Sequence, residues 1–291
     1  ERKQMISDRN RLRFALPGKG RLREPTIDLL QKSGFSFREK DRHLYATCTN
    51  ENIVFIFVRA DDIPVLVESG VVDAGITGSD LVIERKASVN EVVSLGYGRC
   101  RLCVAVRDEC QESSLKWLEG KRVATSFPHI TREFFLSNGI NIEVIEMNGS
   151  VEIMVALGLA DAIVDIVETG DSLRDNNLKV FCDIGKYETV LISNENIKND
   201  ARIEKAKRRI EGVLTAKRYS ILEYNISESA LGAAEKITPG FKSPTISKLD
   251  TEGWVGVKVM VEKGSVPKVM DELESLGATA IFETTIINCR L

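Results

Sequence analysis

The chain contains the stretch Gly70-Val71-Val72-Asp73-Ala74-Gly75-Ile76-Thr77-Gly78-Ser79-Asp80-Leu81 and, later, Gly158-Leu159-Ala160-Asp161-Ala162-Ile163-Val164-Asp165-Ile166-Val167-Glu168-Thr169-Gly170-Asp171-Ser172-Leu173. Both stretches run Gly-x-x-Asp-Ala, then a short apolar segment, then Thr-Gly-x-x-Leu. An apolar run that ends in a glycine turn is typical of a buried strand followed by a loop. The repetition predicts two similar units that each carry such a loop.

The segments around the two stretches alternate between strand and helix patterns, which favours an α/β fold. In the first unit we expect strands over 12–17, 53–58 and 73–76, and helices over 26–32 and 61–69. In the second unit we expect strands over 121–126, 142–147 and 161–167, and helices over 131–138 and 150–157. Further strands between 180 and 193 are expected to cross back to the first unit. Two lobes of this kind would hold the repeated loops in a shared cleft.

The chain beyond residue 219 predicts a separate small domain, preceded by a long amphipathic helix over 201–219. Its order of strand, helix, loop, half-exposed strand, helix and strand locates three of the four strands of the βαββαβ arrangement, and we interpret the domain as a ferredoxin-like (ACT-like) ligand-sensing module. The sequence thus predicts a first lobe over 1–106, completed by about 188–217, a second lobe over 107–187, and a third domain over 218–291.

Charge and composition disfavour several functional classes. A net charge of −3 gives no basic surface for nucleic acid. No apolar run approaches the ~20 residues of a membrane span, so no membrane partner is expected. Cys100 and Cys103 form a C-x-x-C inside an apolar strand pattern, which favours burial over a zinc or redox site. Because His43 and His129 are the only histidines, zinc sites and serine–histidine triads are hard to build.

The second of the two stretches has the features of a phosphate site. Its apolar run carries the carboxylate of Asp165, and the segment Glu168-Thr169-Gly170-Asp171-Ser172 follows. Such a turn can direct several backbone N–H groups and two hydroxyls at one anion. A carboxylate beside an anion-binding loop suits the hydroxyls of a sugar, or a metal ion held by phosphates. The pattern therefore predicts a phosphorylated sugar as ligand.

The chain resembles the long, histidine-regulated form of ATP phosphoribosyltransferase over almost its whole length. Several motifs in the right order carry this resemblance: 16–22 (Leu-Pro-Gly-Lys-Gly-Arg-Leu), 73–81, 98–102 (Gly-Arg-Cys-Arg-Leu), 123–129 (Val-Ala-Thr-Ser-Phe-Pro-His), 148–152 (Asn-Gly-Ser-Val-Glu), 161–173, 212–213 and 243–246. The resemblance implies two lobes like those of periplasmic binding proteins, followed by a regulatory domain.

The resemblance also implies the reaction, which joins ATP to phosphoribosyl pyrophosphate and is the first step of histidine biosynthesis. The nucleophile, adenine N1, has a free lone pair and needs no general base. The departing pyrophosphate requires neutralisation by Mg²⁺ and basic side chains. Catalysis would therefore rest on alignment and electrostatics.

By the same resemblance, Asp165, Lys19 and Arg59 are the expected catalytic residues, and Asp165 is also the expected Mg²⁺ ligand. Phosphoribosyl pyrophosphate is expected at Asp165, Glu168, Thr169, Gly170, Asp171 and Ser172. ATP is expected at Arg21, Thr77, Gly78, Asp80 and Phe127. Glu152 is better explained as a simple negative charge near a helix start than as a site residue.

The regulatory domain is expected to bind the inhibitor histidine through Asn225, Phe241, Thr245 and Ala280. AMP is a further candidate ligand of the protein. Members of the family tend to carry an acidic residue where Asn225 stands. A neutral amide can accept a hydrogen bond, but it lacks the charge that attracts the ammonium or imidazolium group.

Other classes of protein fit parts of the sequence. A two-lobed solute-binding protein would share the cleft but lack catalysis, a short form of the enzyme would lack the third domain, and an amino-acid-sensing regulator would leave the repeated loops unexplained. The family implies a homo-oligomer, a dimer or hexamer. We expect an intracellular soluble protein, in the plastid stroma if a transit peptide preceded Glu1 and otherwise in the cytoplasm.

Overall fold

The computed structural model describes residues 11–38, 44–168 and 170–291. Its described residues fall into two compact units. One comprises residues up to 27 together with 36–203, and the other comprises 28–35 together with 204–291. The first unit contains two sheets and the second contains one.

The first sheet has six strands in the order β2-β3-β1-β4-β11-β5. These strands are β1 (Leu12–Pro17), β2 (Tyr45–Thr47), β3 (Ile53–Val58), β4 (Ala74–Gly78), β5 (Asn90–Ser94) and β11 (Thr189–Ser193). β1 pairs in parallel with β3 and β4, so the carboxyl ends of these three strands lie at one edge. β11 is antiparallel to β4 and β5.

The second sheet has five strands in the order β10-β6-β9-β7-β8. They are β6 (Cys100–Arg107), β7 (Arg122–Thr125), β8 (Glu143–Glu146), β9 (Ala162–Val167) and β10 (Leu178–Tyr187). β7 is parallel to β8 and β9, whereas β6 is antiparallel to β9 and β10. All of β6 except Arg107 falls within the predicted first lobe of residues 1–106, whereas its hydrogen bonds with β9 and β10 place it in the second sheet.

Helices follow the parallel strands in both sheets. They are α1 (Arg23–Lys32), α2 (Ile63–Glu68), α3 (Ser79–Glu84), α4 (Pro128–Ser137), α5 (Glu152–Ala156) and α6 (Asp171–Asp175). A further helix, α7 (Ala201–Ala216), comes after the antiparallel strand β11. Proline stands in the first turn of α2 and at the first position of α4, where its missing N–H is tolerated. Ile63 and Val67 of α2 pack on Ala15 of β1 in one apolar cluster.

Two chain segments connect the two sheets. Residues 95–99 lead from β5 to β6, and Glu188 leads from β10 to β11. Gly98 has a φ of 62°, and a Cβ at this position would lie 2.5 Å from both Leu22 Cδ2 and Thr189 Oγ1. This connection therefore requires glycine for its conformation and for its close approach.

The second unit contains a four-stranded antiparallel sheet in the order β13-β14-β12-β15. Its elements are β12 (Tyr219–Ser227), α8 (Glu228–Ile237), β13 (Thr245–Lys248), β14 (Trp254–Glu262), α9 (Val266–Ser275) and β15 (Thr279–Thr285). Leu222, Tyr224 and Ile226 alternate along β12 and are buried in one cluster with Leu273 of α9. The predicted βαββαβ arrangement is confirmed, and β13 is the strand that the sequence pattern did not locate.

The expected strands and helices of both lobes are present, with ends that differ by a few residues. The helix expected over 201–219 ends at Ala216, and β12 begins at Tyr219. The strand expected at 73–76 runs from Ala74 to Gly78. Elements that were not predicted include β2 and β5, which are short strands at the two edges of the first sheet and lack a long apolar run. The residue limits of the three predicted domains stay predictions.

Candidate active site

Asp165 lies on β9, in the middle of the second sheet, and it is half-buried. Its Oδ1 accepts a hydrogen bond from the N–H of Ile166 at 2.8 Å. Burial raises the pKa of Asp165 to about 6, the Ile166 N–H opposes this rise, and the negative charge of Glu152 adds to it. A carboxylate whose charge is poorly solvated in this way is suited to a cationic or hydroxyl-rich ligand.

The loop after β9 carries the expected phosphate-binding residues. Glu168 is exposed, Gly170 adopts a φ of 84°, and Asp171 and Ser172 begin α6. Asp171 forms an ion pair with Arg174. Thr169, which is also expected here, lies outside the described residues. The left-handed conformation of Gly170 lets the chain reverse direction directly after the strand.

Glu152 lies beside the candidate site because of a contact that the sequence pattern does not predict. It stands at the start of α5, and its Oε1 accepts a hydrogen bond from the Ser172 hydroxyl at 2.8 Å. The negative charge of Glu152 also raises the pKa of Asp165. The available signal is the motif 148–152, in which an acidic residue ends a glycine turn. Glu152 therefore joins the loop and Asp165 in one acidic group.

Arg21 connects the first sheet's side of the cleft to this loop. Its guanidinium forms an ion pair with Glu168 and also contacts the Cys100 thiol. Burial lowers the pKa of Arg21, but its contacts with Cys100 and Glu168 outweigh burial and leave the pKa raised. The expected ATP residue Arg21 and the expected phosphoribosyl residue Glu168 are thus direct neighbours.

Asp80 is buried, with 3% of its surface exposed, at the start of α3. Burial raises its pKa, and the Leu81 N–H and the positive charge of Arg21 oppose that rise. Gly78 lies against it, because a Cβ on Gly78 would come within 2.0 Å of Asp80 Oδ1. The Thr77 hydroxyl is buried and donates to the Ala60 carbonyl at 2.7 Å. In this structure the Thr77 hydroxyl is therefore hydrogen-bonded to the loop that follows β3.

Lys19 and Arg59 share one edge of the first sheet. Both are exposed, and they follow β1 and β3, whose last residues Pro17 and Val58 are register partners. Because β4 ends at this edge too, the Thr77-Gly78 turn lies with them. In open α/β sheets this edge is where ligands bind.

Two cavities adjoin these residues. The first, of about 570 Å³, is lined by Arg99, Cys100, Arg101, Val167, Glu168, Lys186, Tyr187 and Glu188. The sequence analysis assigned no role to its three basic side chains, Arg99, Arg101 and Lys186, although Arg99 and Arg101 lie in the motif 98–102. The second, of about 400 Å³, lies between the two lobes and includes Arg59 and Phe127 in its lining. Phe127 is 5% exposed and also packs in the core of the second lobe.

Three of the four residues expected to bind histidine are neighbours in the third sheet. Asn225 on β12 is the register partner of Thr279, which precedes Ala280, and of Gly256 on β14. The register of β15 shifts at this point, and Ala280 adopts a φ of 49°. Thr245 on β13 pairs with Lys258, two positions from Gly256, and shares the face of Asn225.

Phe241 lies apart from these three residues. It lines a cavity of about 310 Å³ with Tyr219 and Met260, at the opposite end of β12. Tyr219 and Asn225 are six positions apart on that strand, a span of about 20 Å. The structure of one chain therefore does not bring Phe241 to Asn225.

Both cysteines of the C-x-x-C are buried in β6, in agreement with the sequence analysis. Burial raises the pKa of Cys103 to about 12, and the neighbouring Asp183 carboxylate adds to the rise. Among the residues that the structure describes, no three His, Cys, Asp or Glu side chains are grouped to hold a metal ion by themselves. Nor does any helix in this part of the chain have the length and apolar character needed to cross a membrane.

Comparison with known proteins gives matches over nearly the whole chain. The family model described as HisG: ATP phosphoribosyltransferase matches residues 59–212, and that of the HisG C-terminal domain matches 216–288. An ATP phosphoribosyltransferase of Rhodopirellula baltica is 47% identical over 280 residues, which cover 96% of this chain and 94% of that protein.

Solved structures match this chain over about 70% of its length. The ATP phosphoribosyl transferase (HisG:HisZ) complex from Thermotoga maritima matches with a TM-score of 0.60 and 31% identity, over 69% of this chain and 98% of that chain. The substrate-binding protein of an amino acid ABC transporter matches with a TM-score of 0.50 and 15% identity, over 70% of this chain and 93% of that one. The second match shows the fold alone, and it confirms the expected likeness to periplasmic binding proteins.

Proposed function

Because this chain belongs to the ATP phosphoribosyltransferase family, we propose that it joins ATP to phosphoribosyl pyrophosphate through adenine N1 and releases pyrophosphate. This reaction is the first step of histidine biosynthesis. The observation that carries the proposal is the arrangement of Asp165, Glu152 and the loop after β9 opposite Arg21 from the other lobe. This arrangement brings together two carboxylates for the sugar hydroxyls, a loop that turns at Gly170, and a cation for the phosphate.

The phosphoribosyl group binds at the end of β9. Asp165 and Glu152 bind the ribose hydroxyls, and residues 168–172 surround the 5′-phosphate. Two observations support this assignment: the raised pKa of Asp165, which marks a poorly solvated carboxylate, and the Ser172–Glu152 hydrogen bond, which fixes the loop beside it. When ionised, both oxygens of each carboxylate can accept hydrogen bonds from the sugar hydroxyls.

The chemistry of this donor set also fits Mg²⁺. The ion is usually held in proteins by one or two carboxylates together with substrate phosphates, so a site made by protein alone is not required. Asp165 and Glu152 are the two carboxylates available to it. When bound, Mg²⁺ would neutralise charge on the pyrophosphate group.

The basic side chains of the first lobe complete the charge balance. Lys19 and Arg59 stand at the edge formed by β1 and β3, and Arg21 reaches Glu168. A leaving pyrophosphate gains negative charge as its bond to C1 breaks, and fixed cations stabilise that change without reorganisation. In this proposal Arg21 exchanges Glu168 for a phosphate oxygen when the substrate binds.

ATP occupies the interlobe cavity of about 400 Å³, which contains Arg59 for phosphates and Phe127 at its border. Leu81, which lines this cavity, directly follows Asp80 in α3, and the Thr77-Gly78 turn ends the strand before that helix. Because Phe127 is mostly buried, only part of its ring is available to the base. The base is held with N1 towards C1 of the ribose, and no residue removes a proton from the nucleophile.

The third sheet senses histidine in this proposal. Asn225, Thr245 and Ala280 are brought together by strand pairing, and the left-handed Ala280 is the kind of backbone outlier found at binding sites. AMP is proposed as a further regulatory ligand. A homo-oligomer, dimer or hexamer, would allow Phe241 of one chain to approach Asn225 of another.

The test of the activity is direct. The purified chain is mixed with ATP, phosphoribosyl pyrophosphate and Mg²⁺, with pyrophosphatase present, and the absorbance change of N1-ribosylated adenine is followed. The proposal predicts a signal that requires all three components. A folded protein that gives no signal, while a known ATP phosphoribosyltransferase does under the same conditions, would overturn it.

A further inference from the structure

Helix α4 begins without a cap of its own. Its first residue is Pro128, the preceding residue is Phe127, and no side chain of the capping position accepts a hydrogen bond. The first turn of a helix presents unpaired N–H groups, and their burial without acceptors is unfavourable. The missing acceptors come from elsewhere in the chain.

Glu84 supplies both acceptors from the other lobe. It is the last residue of α3, which follows β4 of the first sheet, whereas α4 follows β7 of the second. One carboxylate oxygen accepts from the His129 N–H at 2.9 Å, and the other accepts from the Ile130 N–H at 3.0 Å. Thr131 donates to the Phe127 carbonyl, and Pro128 has no N–H. Glu84 therefore completes the first turn of α4.

The position of Glu84 gives no local advantage to its own helix. A negative charge at the C-terminal end of α3 is opposed by the helix dipole, whereas the same charge is favoured at the N-terminus of α4. Hydrogen bonds to an ionised acceptor are shorter and stronger than neutral ones. The favourable interaction of this carboxylate is thus the one that spans the two lobes.

The contact also forms part of the wall of the interlobe cavity. Glu84 and Arg59 line it from the first lobe, and Ser126, Phe127 and Pro128 line it from the second. The cavity is present while the contact is made, so a ligand can bind without displacing Glu84. Separation of the lobes would break both hydrogen bonds and widen the cavity.

We infer that Glu84 is a positioning residue that fixes the separation of the two cavity walls and thereby aligns ATP. The inference rests on the proposed binding of ATP in this cavity. A change in the separation of the walls removes contacts that ATP makes in the ground state as well as in the transition state, so the effect should appear in the KM for ATP.

The experiment compares Glu84→Ala and Glu84→Gln with the wild type. We expect the KM for ATP to rise about tenfold or more in Glu84→Ala, with the KM for phosphoribosyl pyrophosphate changed less than about threefold. Amide hydrogen exchange at His129 and Ile130 should accelerate. Glu84→Gln keeps one acceptor oxygen and should give intermediate values of both quantities.

Glu119→Ala is the matched control. The Glu119 carboxylate accepts from Asn141 N at 2.9 Å and from Asn141 Nδ2 at 3.3 Å, entirely within the second lobe. It should leave both KM values within about twofold of the wild type. An unchanged KM for ATP in Glu84→Ala, or an equal rise in Glu119→Ala, overturns the inference. Slow exchange at His129 and Ile130 in Glu84→Ala overturns it too, and this measurement is independent of activity and thus of the proposed function.

Discussion

The Glu152 carboxylate accepts a hydrogen bond from the Ser172 hydroxyl at 2.8 Å, and it thereby joins the start of α5 to the start of α6. Glu152 also raises the pKa of Asp165, although burial is the larger cause. Two segments that follow different strands of the second sheet thus converge on the carboxylate at the centre of the site. The proposed sugar site depends on this convergence.

Asp165→Asn should lower turnover by about 100-fold or more, because the amide cannot replace a carboxylate towards sugar hydroxyls or Mg²⁺. The folded protein should melt at the same temperature or higher, since the substitution removes a buried charge whose pKa is raised. Steady-state kinetics and thermal unfolding measure the two effects.

Asp161→Asn is the matched control in the same segment. Burial raises the pKa of Asp161, but hydrogen bonds from Arg122 outweigh burial and leave the pKa lowered. This variant should therefore lose stability and keep turnover. The assignment of Asp165 fails if Asp165→Asn retains near-normal turnover.

Activity should fall as the pH decreases through about 6, the pKa of Asp165. The acid form cannot bind a cation, so kcat/KM for phosphoribosyl pyrophosphate should show an acidic limb there. The contribution of Asp165 to folding stability changes with pH in the opposite direction to activity. A raised pKa means that the protonated carboxyl favours the folded state below the ordinary value of 3.8, and that this contribution is lost as the pH rises through 6.

Two measurements check this pH dependence. The stability difference between the wild type and Asp165→Asn should be largest above pH 6 and should vanish near pH 4. Glu152→Gln removes a negative charge next to Asp165 and should move the acidic limb to lower pH. A limb that stays in place in Glu152→Gln contradicts the coupling of the two carboxylates.

The Ser172–Glu152 hydrogen bond should be detectable in a double-mutant cycle of Ser172→Ala and Glu152→Ala. We expect a coupling free energy of about 0.5–1.5 kcal/mol, because the donor is neutral and the pair is partly exposed. The KM for phosphoribosyl pyrophosphate should rise in both single variants. Strict additivity of the two unfolding free energies would show that the hydrogen bond is not made in solution.

Gly78→Ala should destabilise the first unit by about 1–3 kcal/mol, because the new Cβ would overlap the Asp80 carboxylate. That Cβ would lie 2.0 Å from Asp80 Oδ1, and Asp80 is too buried to swing into solvent. Gly232→Ala is the control, since a Cβ there has no atom within 4 Å and the residue lies in α8. That variant should gain about 0.5–1 kcal/mol. Denaturant unfolding measures both.

Asn225→Asp should strengthen inhibition by histidine, because a carboxylate attracts the ammonium or imidazolium group and the amide does not. An ionic hydrogen bond exceeds a neutral one by about 1 kcal/mol, which corresponds to roughly fivefold in the inhibition constant. Ser227→Asp adds the same charge two positions further along β12 and should have little effect. Equal effects of the two variants would assign the change to charge alone.

The sequence by itself determined the elements and their order. Long apolar runs such as Ile53–Val58 and Ala162–Val167 indicated strands, glycine turns indicated their ends, and alternation along β14 indicated a half-exposed strand. These signals are local, because burial and turn conformation act on residues close together in the chain. The prediction of a phosphate site at Asp165 and the loop after it rests on the same kind of local signal.

Only the tertiary structure decided which side chains meet. Glu84 lies 45 residues from His129, and Arg21 lies 147 residues from Glu168. Glu152 and Ser172 are separated by 20 residues and by the strand β9. No local pattern encodes such pairs, since they depend on how the strands order themselves in the sheets and how the two lobes close. The short edge strands β2 and β5 were missed because sheet pairing, and not an apolar run of their own, holds them in place.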